Sequence, residues 1–358
     1  MSNNYTQELQ KTARSMVAEG KGLLAMDEST STSNKRFEKV GIPTTEENRR
    51  AYRELILTTP NLSDFISGAI LYDETIHQST SSGIPFIQVM KDAGMIPGIK
   101  LDKGAKPLAG HPEERVTEGL DELRERIVEY YSMGARFAKW RAVITIGNDG
   151  VDNAVTRDIP SLGCIEANAH ALARYAALCQ EGGLVPIVEP EVLIDGDHTL
   201  ERCYEVTEAT LREVFRQLYC QRVAFDQMIL KPSMVISGGN CPVQASVEEV
   251  ATATVHCLLN TVPAAVAGVA FLSGGQTIIQ ASAHLNAMHV MFEKQIPWAV
   301  TFSYARAIQQ PALEHWQGNS ANLEGAQKLL YHRAMCNGAA SRGLYQADME
   351  KEPVAARS

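Results

Sequence analysis

Charged residues interrupt several otherwise apolar stretches of this chain. Lys139 and Arg141 form one pair, Glu189 and Glu191 form a second, and Lys231 follows a third apolar stretch. Side chains two apart on a strand point to the same side, and a buried charge is costly unless an opposite charge compensates it. The spacing therefore predicts that these five side chains share one polar cluster. A purely structural set of ion pairs is the alternative to a catalytic cluster.

Glycine-rich and basic segments elsewhere in the chain are typical of anion sites. The Ser-Gly-Gly turn at 273–275 exposes backbone N–H groups that can hold a phosphate, and Arg306 can add positive charge. Lys100, Lys35 and Arg36 are candidates for a second anion site. Two anion sites on either side of a lysine–carboxylate cluster predict a substrate that carries two phosphates and a carbonyl group.

Histidine and cysteine spacing gives no support to a metal site. The nine histidines show neither His-x-His nor His-x-x-x-His spacing, and the seven cysteines form no Cys-x-x-Cys pair. We therefore expect no metal ligands and no cofactor. Scattered cysteines without a pairing pattern are typical of a reduced, intracellular protein.

The elements that must position these side chains follow from hydrophobic patterning. Eight apolar runs are interpreted as strands: residues 22–27, 67–73, 96–101, 137–144, 184–192, 228–235, 266–272 and 298–304. Amphipathic stretches predict helices at 114–133, 164–180, 200–219, 247–259, 277–293 and 323–341. This alternation predicts an α/β fold, a (β/α)8 TIM barrel. A doubly wound sheet is the alternative, but no Gly-x-Gly-x-x-Gly motif follows the first run.

A barrel enzyme takes its reactive groups from the C-terminal ends of its strands. This rule adds Asp27, at the end of the first run, to the candidate residues. Taken alone, an aspartate in that position is more typical of a helix cap. We expect one catalytic barrel domain over residues 1–345 and a mobile tail over 346–358.

Composition restricts the class of partner. The 358 residues are 45% hydrophobic and carry a formal net charge of −9, which argues against a nucleic-acid or membrane-surface binder. No run reaches the roughly 18 apolar residues that a membrane span needs. No signal peptide is visible, so we expect a cytoplasmic protein, or a plastid stromal one if the chain is a processed form.

Seven segments, in order and with barrel spacing between them, carry a resemblance to a known family. They are GKGLLAMDEST (20–30), GIKLDKG (98–104), FAKWR (137–141), VPIVEPEVL (185–193), ILKPSM (229–234), FLSGGQ (271–276) and FSYARA (302–307). Over nearly its whole length the chain resembles the class I fructose-bisphosphate aldolases. The resemblance implies reversible cleavage of fructose 1,6-bisphosphate to dihydroxyacetone phosphate and glyceraldehyde 3-phosphate. It also implies a homotetramer, while use of sedoheptulose 1,7-bisphosphate stays open.

The resemblance also implies a role for each candidate residue. Lys231 would form an imine with the C2 carbonyl, and Glu189 would act as acid and base in that step. Asp27 would take the C4 hydroxyl proton, while Lys139 and Glu191 would position these groups. The substrate-binding residues would be Ser273, Gly274 and Arg306 at the C1 phosphate, Lys100, Ser29, Thr32, Lys35 and Arg36 at the C6 phosphate, and Arg141 within the cluster.

Three features depart from the family pattern. Ala305 replaces a glycine, Ser31 and Thr32 stand where Gly-Ser is usual, and the chain ends at Ser358 without a C-terminal tyrosine. Because the tail lacks an obvious acid or base, deleting residues after Ala347 is predicted to change cleavage by less than about tenfold. A transaldolase-type Schiff-base barrel and a non-enzymatic scaffold are the competing interpretations.

Overall fold

Eight parallel strands form a closed barrel in the computed structural model, which describes residues 5–148 and 158–351. The strands are β1 Gly22–Ala25, β2 Ile66–Leu71, β3 Ile96–Lys100, β4 Phe137–Ile144, β5 Val185–Val192, β6 Ile229–Leu230, β7 Gly268–Phe271 and β8 Ala299–Tyr304. Each strand pairs with its neighbours in chain order, and β8 closes onto β1. The predicted (β/α)8 barrel is thus confirmed.

Twelve α-helices are described around the barrel. They are α1 Thr6–Met16, α2 Thr30–Lys39, α3 Glu46–Leu57, α4 Asp73–Ile76, α5 Phe86–Asp92, α6 Leu123–Met133, α7 Leu162–Glu181, α8 Leu200–Cys220, α9 Val247–Thr261, α10 Ile278–Phe292, α11 Arg306–Trp316 and α12 Leu323–Ala340. Short 3-10 helices occur at Leu62–Asp64, Phe225–Gln227, Ser320–Asn322 and Ala347–Glu350. Two small antiparallel hairpins pair Ala105–Pro107 with Arg115–Thr117 and Gly147–Asn148 with Asp158–Ile159.

The interior of the barrel is a packed apolar core that is separate from the core under the helices. Strand residues such as Leu23, Phe137 and Ile187 form this inner cluster together with Leu9 and Met16 of α1. Helix α1 precedes β1 in the chain. Because its apolar residues belong to the inner cluster, α1 packs against the N-terminal mouth of the barrel. The charged residues of the predicted site lie at the other mouth, where the strands end.

Two predicted elements differ from the observed ones for identifiable reasons. The sixth run, predicted over 228–235, keeps ladder geometry only at Ile229–Leu230, because Pro232 follows closely and has no N–H to donate. The helix predicted from residue 114 begins only at Leu123, because Arg115–Thr117 pairs as a strand. Both differences arise next to the predicted site.

The segment after α12 is partly anchored. The 3-10 helix Ala347–Glu350 packs against α12, where Glu350 forms an ion pair with the buried Arg333. These contacts move the start of any free tail beyond the predicted boundary at residue 346. The rest of the predicted tail, from residue 352 to 358, lies outside the described residues.

Helices that could span a membrane are absent from the part of the chain that the structure describes. None of its helices combines the length and the apolar character needed to cross a bilayer.

Candidate active site

A cavity of about 310 Å³ opens at the C-terminal ends of the barrel strands. Residues in or just after β1 and β3 to β8 line it. The predicted site residues on its wall are Asp27, Ser29, Thr32, Lys100, Lys139, Arg141, Glu189, Glu191, Lys231, Ser273, Gly274 and Arg306. The structure therefore brings together, in one cavity, side chains that are spread over most of the sequence.

Lys231 and Glu189 form the buried centre of this cavity. Lys231 follows β6, and its backbone N–H donates to the carbonyl of Val188, which places it beside Glu189 on β5. The Lys231 Nζ atom lies 3.1 Å from Glu189 Oε1, and each side chain is only 4% exposed. The other carboxylate oxygen, Oε2, has no hydrogen-bond partner among the described residues. Oε2 instead lies at ion-pair distance from Lys139, 3.4 Å from its Nζ. An amine beside a buried carboxylate is suited to proton exchange during attack on a carbonyl.

Lys139 joins three carboxylates around this centre. Its Nζ lies 2.7 Å from Asp27 Oδ2, 3.4 Å from Glu189 Oε2 and 3.8 Å from Asp102 Oδ2. Burial by itself would lower the pKa of Lys139, but the charges of Asp27, Glu189 and Asp102 outweigh it and raise the pKa. Lys139 is therefore a permanent cation at neutral pH.

Asp27 is correspondingly held as an anion. Burial would raise its pKa, yet the cations of Lys139 and Lys231 dominate and lower the pKa of Asp27 to about 2. The carboxylate lies just after β1, at the edge of the lysine–glutamate centre. It is available to accept a proton without first having to release one.

Arg141 and Glu191 form a second charged pair above the buried centre. The Arg141 Nε–H donates to Glu191 Oε2. Burial by itself would lower the pKa of Arg141, but the negative charge of Glu191 outweighs it and raises the pKa. The Arg141 side chain is 43% exposed, in contrast to that of Lys139 on the same strand. Gly274 lies against this pair, because a Cβ there would come within 2.7 Å of Glu191 Oε1. The close approach explains why glycine occupies that position.

One rim of the cavity has the features of an anion site. Ser273 and Gly274 follow β7, and Arg306 is the exposed first residue of α11, where the helix N-terminus favours negative charge. Gly275 completes the turn with a φ of +74°, which a side chain would strain. Ala305, which stands in place of the family glycine, also lines the cavity.

A second rim with anion-binding features lies across the barrel. Lys100 ends β3, and β3 is four strands away from β7 in either direction around the ring. Ser29 caps α2 by accepting a hydrogen bond from the Thr32 N–H, so this helix begins at the cavity wall. Lys100 and the Ser273–Gly274 turn therefore lie on opposite sides of the lysine–carboxylate centre, whereas Ser29 and Thr32 follow β1, which pairs with β8.

Lys35 and Arg36 do not line the cavity, in contrast to the sequence-based prediction. Lys35 is exposed on α2. Arg36 donates to Glu28 Oε1, and Arg53 Nη2 lies 2.8 Å from the other oxygen of the same carboxylate. Arg36 is therefore paired with Glu28, which itself lines the cavity, and the sequence-based assignment of Arg36 to the phosphate did not include this ion pair.

Besides Glu28, two polar residues on the wall were absent from the sequence-based site. Asp102 is buried beside Lys139, and it follows Lys100 by two residues, a spacing that could have indicated it. Ser303 of β8 is 1% exposed, and its hydroxyl has no partner among the described residues. Within residues 5–148 and 158–351, no group of three or more His, Cys, Asp or Glu side chains is arranged to hold a metal ion.

Comparison with known proteins gives long, high-identity matches. A family model described as class-I fructose-bisphosphate aldolase matches residues 8–358. A probable class 1 fructose-bisphosphate aldolase of Xanthomonas campestris is 62% identical over 95% of this chain and 99% of its own length. The fructose-bisphosphate aldolase of Dictyostelium discoideum is 49% identical over 97% and 95%. A crystal structure of the Plasmodium falciparum aldolase superimposes with a TM-score of 0.92 at 43% identity, covering 97% of each chain.

Proposed function

The chain belongs to the class I fructose-bisphosphate aldolase family, and from this premise we propose a role for each residue of its cavity. The reaction is aldol cleavage of fructose 1,6-bisphosphate. Lys231 attacks the C2 carbonyl and forms an imine, and Glu189, 3.1 Å away, transfers the protons that turn the carbinolamine into the imine.

The imine supplies the electron sink for carbon–carbon cleavage. When the C3–C4 bond breaks, its electron pair moves into the protonated imine and leaves an enamine on Lys231. Asp27 accepts the C4 hydroxyl proton, which a carboxylate with a pKa of about 2 does from its ionised state. Lys139 holds Asp27 at 2.7 Å, and Glu191 orients Arg141 toward the substrate. Glyceraldehyde 3-phosphate leaves at this point. Protonation of the enamine at C3 and hydrolysis of the resulting imine then release dihydroxyacetone phosphate and regenerate the amine.

The two phosphates occupy the opposite rims. Ser273, Gly274 and Arg306 hold the C1 phosphate, and Lys100, Ser29 and Thr32 hold the C6 phosphate. This assignment is supported by the position of the amine, because the lysine–carboxylate centre lies between the two rims. Binding both ends of the substrate fixes C2 against the buried amine, which converts binding energy into orientation.

This proposal rests on the short contact between Lys231 Nζ and Glu189 Oε1, whose side chains are each only 4% exposed. The test is reductive trapping: the enzyme is mixed with dihydroxyacetone phosphate, reduced with borohydride, digested and mapped by mass spectrometry. We expect a stable adduct on the peptide that contains Lys231 and none without the ketone. Lys231→Met should lose both the adduct and turnover. Lys11→Met, on exposed surface, is the matched control, and an adduct on Lys139 or Lys100 would overturn the assignment.

We further propose that the protein is a cytoplasmic homotetramer. Tetramers are general in the family, and large apolar side chains such as Leu162 and Tyr219 are 83% and 77% exposed, which supports their burial between subunits. Light scattering should give four times the 39.2 kDa chain mass, and a monomer would contradict the proposal.

Cell fractionation tests the compartment, with plastid stroma as the other outcome. We also propose cleavage of sedoheptulose 1,7-bisphosphate, which a coupled assay with that sugar measures directly.

A further inference from the structure

Asp102, just beyond β3, is a buried carboxylate whose two oxygens are both engaged. Its Oδ1 lies 2.7 Å from Lys100 Nζ and accepts the Gly104 N–H at 3.2 Å. Its Oδ2 accepts the Arg141 N–H at 3.2 Å and lies 3.8 Å from Lys139 Nζ. The side chain is 3% exposed. A buried carboxylate with this many donors is a built feature of the site, because burying it without them would be costly.

The Lys100 ammonium makes two of its contacts with this one residue. Besides the carboxylate, it donates to the Asp102 carbonyl oxygen at 3.0 Å. An ammonium has three N–H donors, so a third remains for a ligand in the cavity. A free lysine side chain samples many rotamers and loses conformational entropy when a ligand immobilises it. Asp102 removes most of that freedom before the ligand arrives.

The same carboxylate continues the pairing of two strands beyond the end of their ladder. The Cα pairing of β3 with β4 ends at Lys100 and Lys139, and the last backbone bond runs from Leu101 N–H to the Lys139 carbonyl. The next N–H on the same edge of β4, that of Arg141, donates to the Asp102 side chain instead. Asp102 thus fixes the main chain at Arg141 as well as the side chain of Lys100.

We propose that Asp102 is a positioning residue that preorganises Lys100 for the phosphate at the C6 end of the substrate. This inference rests on the proposed function, in which Lys100 binds that phosphate. An effect through Lys139 is the competing explanation. Lys139 already has Asp27 at 2.7 Å and Glu189 at 3.4 Å, and Asp102 is its most distant carboxylate at 3.8 Å. Lys100 has Asp102 as its only ion-pair partner among the described residues.

The test compares two substrates that differ only in the C6 phosphate: fructose 1,6-bisphosphate and fructose 1-phosphate. In Asp102→Asn a single amide oxygen replaces two carboxylate oxygens, so the Lys100 and Arg141 contacts cannot both be kept. We expect kcat/KM for the bisphosphate to fall roughly tenfold to hundredfold, mainly through KM, since a charge-assisted contact is lost. For fructose 1-phosphate the change should stay within about threefold. Lys103→Met, an exposed lysine in the same loop, serves as the control.

Two further variants separate the possible failures. Lys100→Met should likewise lower kcat/KM for the bisphosphate more than for fructose 1-phosphate. The double variant should have a kcat/KM for the bisphosphate no lower than that of Lys100→Met alone. An equal loss on both substrates in Asp102→Asn would overturn the proposal, as would no loss on either. If Lys100→Met affects both substrates equally, the C6-phosphate assignment itself fails. Asp102→Glu, which keeps the charge but displaces it, gives the same substrate comparison if the Asn variant does not fold.

Discussion

Replacing Lys139 by methionine removes the ammonium that holds Asp27 in its anionic form. The Lys139–Asp27 contact is 2.7 Å between side chains that are 4% and 10% exposed. Two unit charges about 4 Å apart at an effective dielectric constant of about 20 attract by roughly 4 kcal/mol. Losing that attraction lowers the acid dissociation constant of Asp27 by about a thousandfold, and the burial that favours the neutral acid is still present in the variant. The pKa of Asp27 therefore rises from about 2.

The kinetic consequence is a displaced acidic limb in the pH profile. In the native enzyme Asp27 is ionised down to about pH 2 and does not limit activity under ordinary assay conditions. In Lys139→Met it becomes protonated at higher pH, so the acidic limb of kcat/KM should move upward. At neutral pH Asp27 stays ionised after a thousandfold change, but kcat should still fall, by up to about 10²–10⁴-fold, because Lys139 no longer holds this acid–base group in position. Lys139→Arg, which keeps the cation, should leave the limb near its native position.

The stability of the fold should also depend on pH through Asp27. Because the pKa of Asp27 lies below the ordinary aspartate value of 3.8, its contribution to stability is present above pH 3.8 and is lost as pH falls towards about 2. Removing Lys139 should abolish this part of the acid transition, measured by circular dichroism at 25 °C. Kinetics should be compared only where the variant is folded. An acidic limb that stays in place in Lys139→Met would refute the electrostatic account of Asp27.

Three other expectations follow from the structure. Arg306→Ala should raise KM for phosphorylated substrate by roughly 10–150-fold with little change in reductive trapping, because it removes a charge-assisted clamp. Exhaustive chelation should leave cleavage unchanged, and a large loss that zinc or iron restores would contradict imine catalysis. Truncation after Ala347 should keep cleavage within about tenfold but lower Tm by several degrees, because it leaves Arg333, 3% exposed, without Glu350. Truncation after Lys351 keeps that ion pair and should leave Tm unchanged, which separates the two effects by thermal unfolding.

Local sequence patterns were sufficient to predict the architecture and many of the residues that line the cavity. The run at 137–144 was recognised from its apolar residues and is a strand with the same bounds, Phe137–Ile144. The two-residue spacing of Lys139 and Arg141 places both on the cavity wall, because alternation of side chains is a property of any extended backbone. The position of Lys231 after a buried strand required only the rule that such strands end at a common mouth.

Contacts between distant segments decided what local patterns could not. Pairing of 105–107 with 115–117 turned the start of a predicted helix into a strand. Arg36 resembles a phosphate ligand in sequence, yet its guanidinium forms an ion pair with Glu28. Asp102 also accepts the Arg141 N–H, which comes from a residue 39 positions away in the chain. The sequence by itself determined the barrel and which residue types stand at its mouth, since periodicity and burial are local. Only the tertiary structure decided which charges pair, because a buried charge is stabilised by whichever opposite charge lies nearest in space.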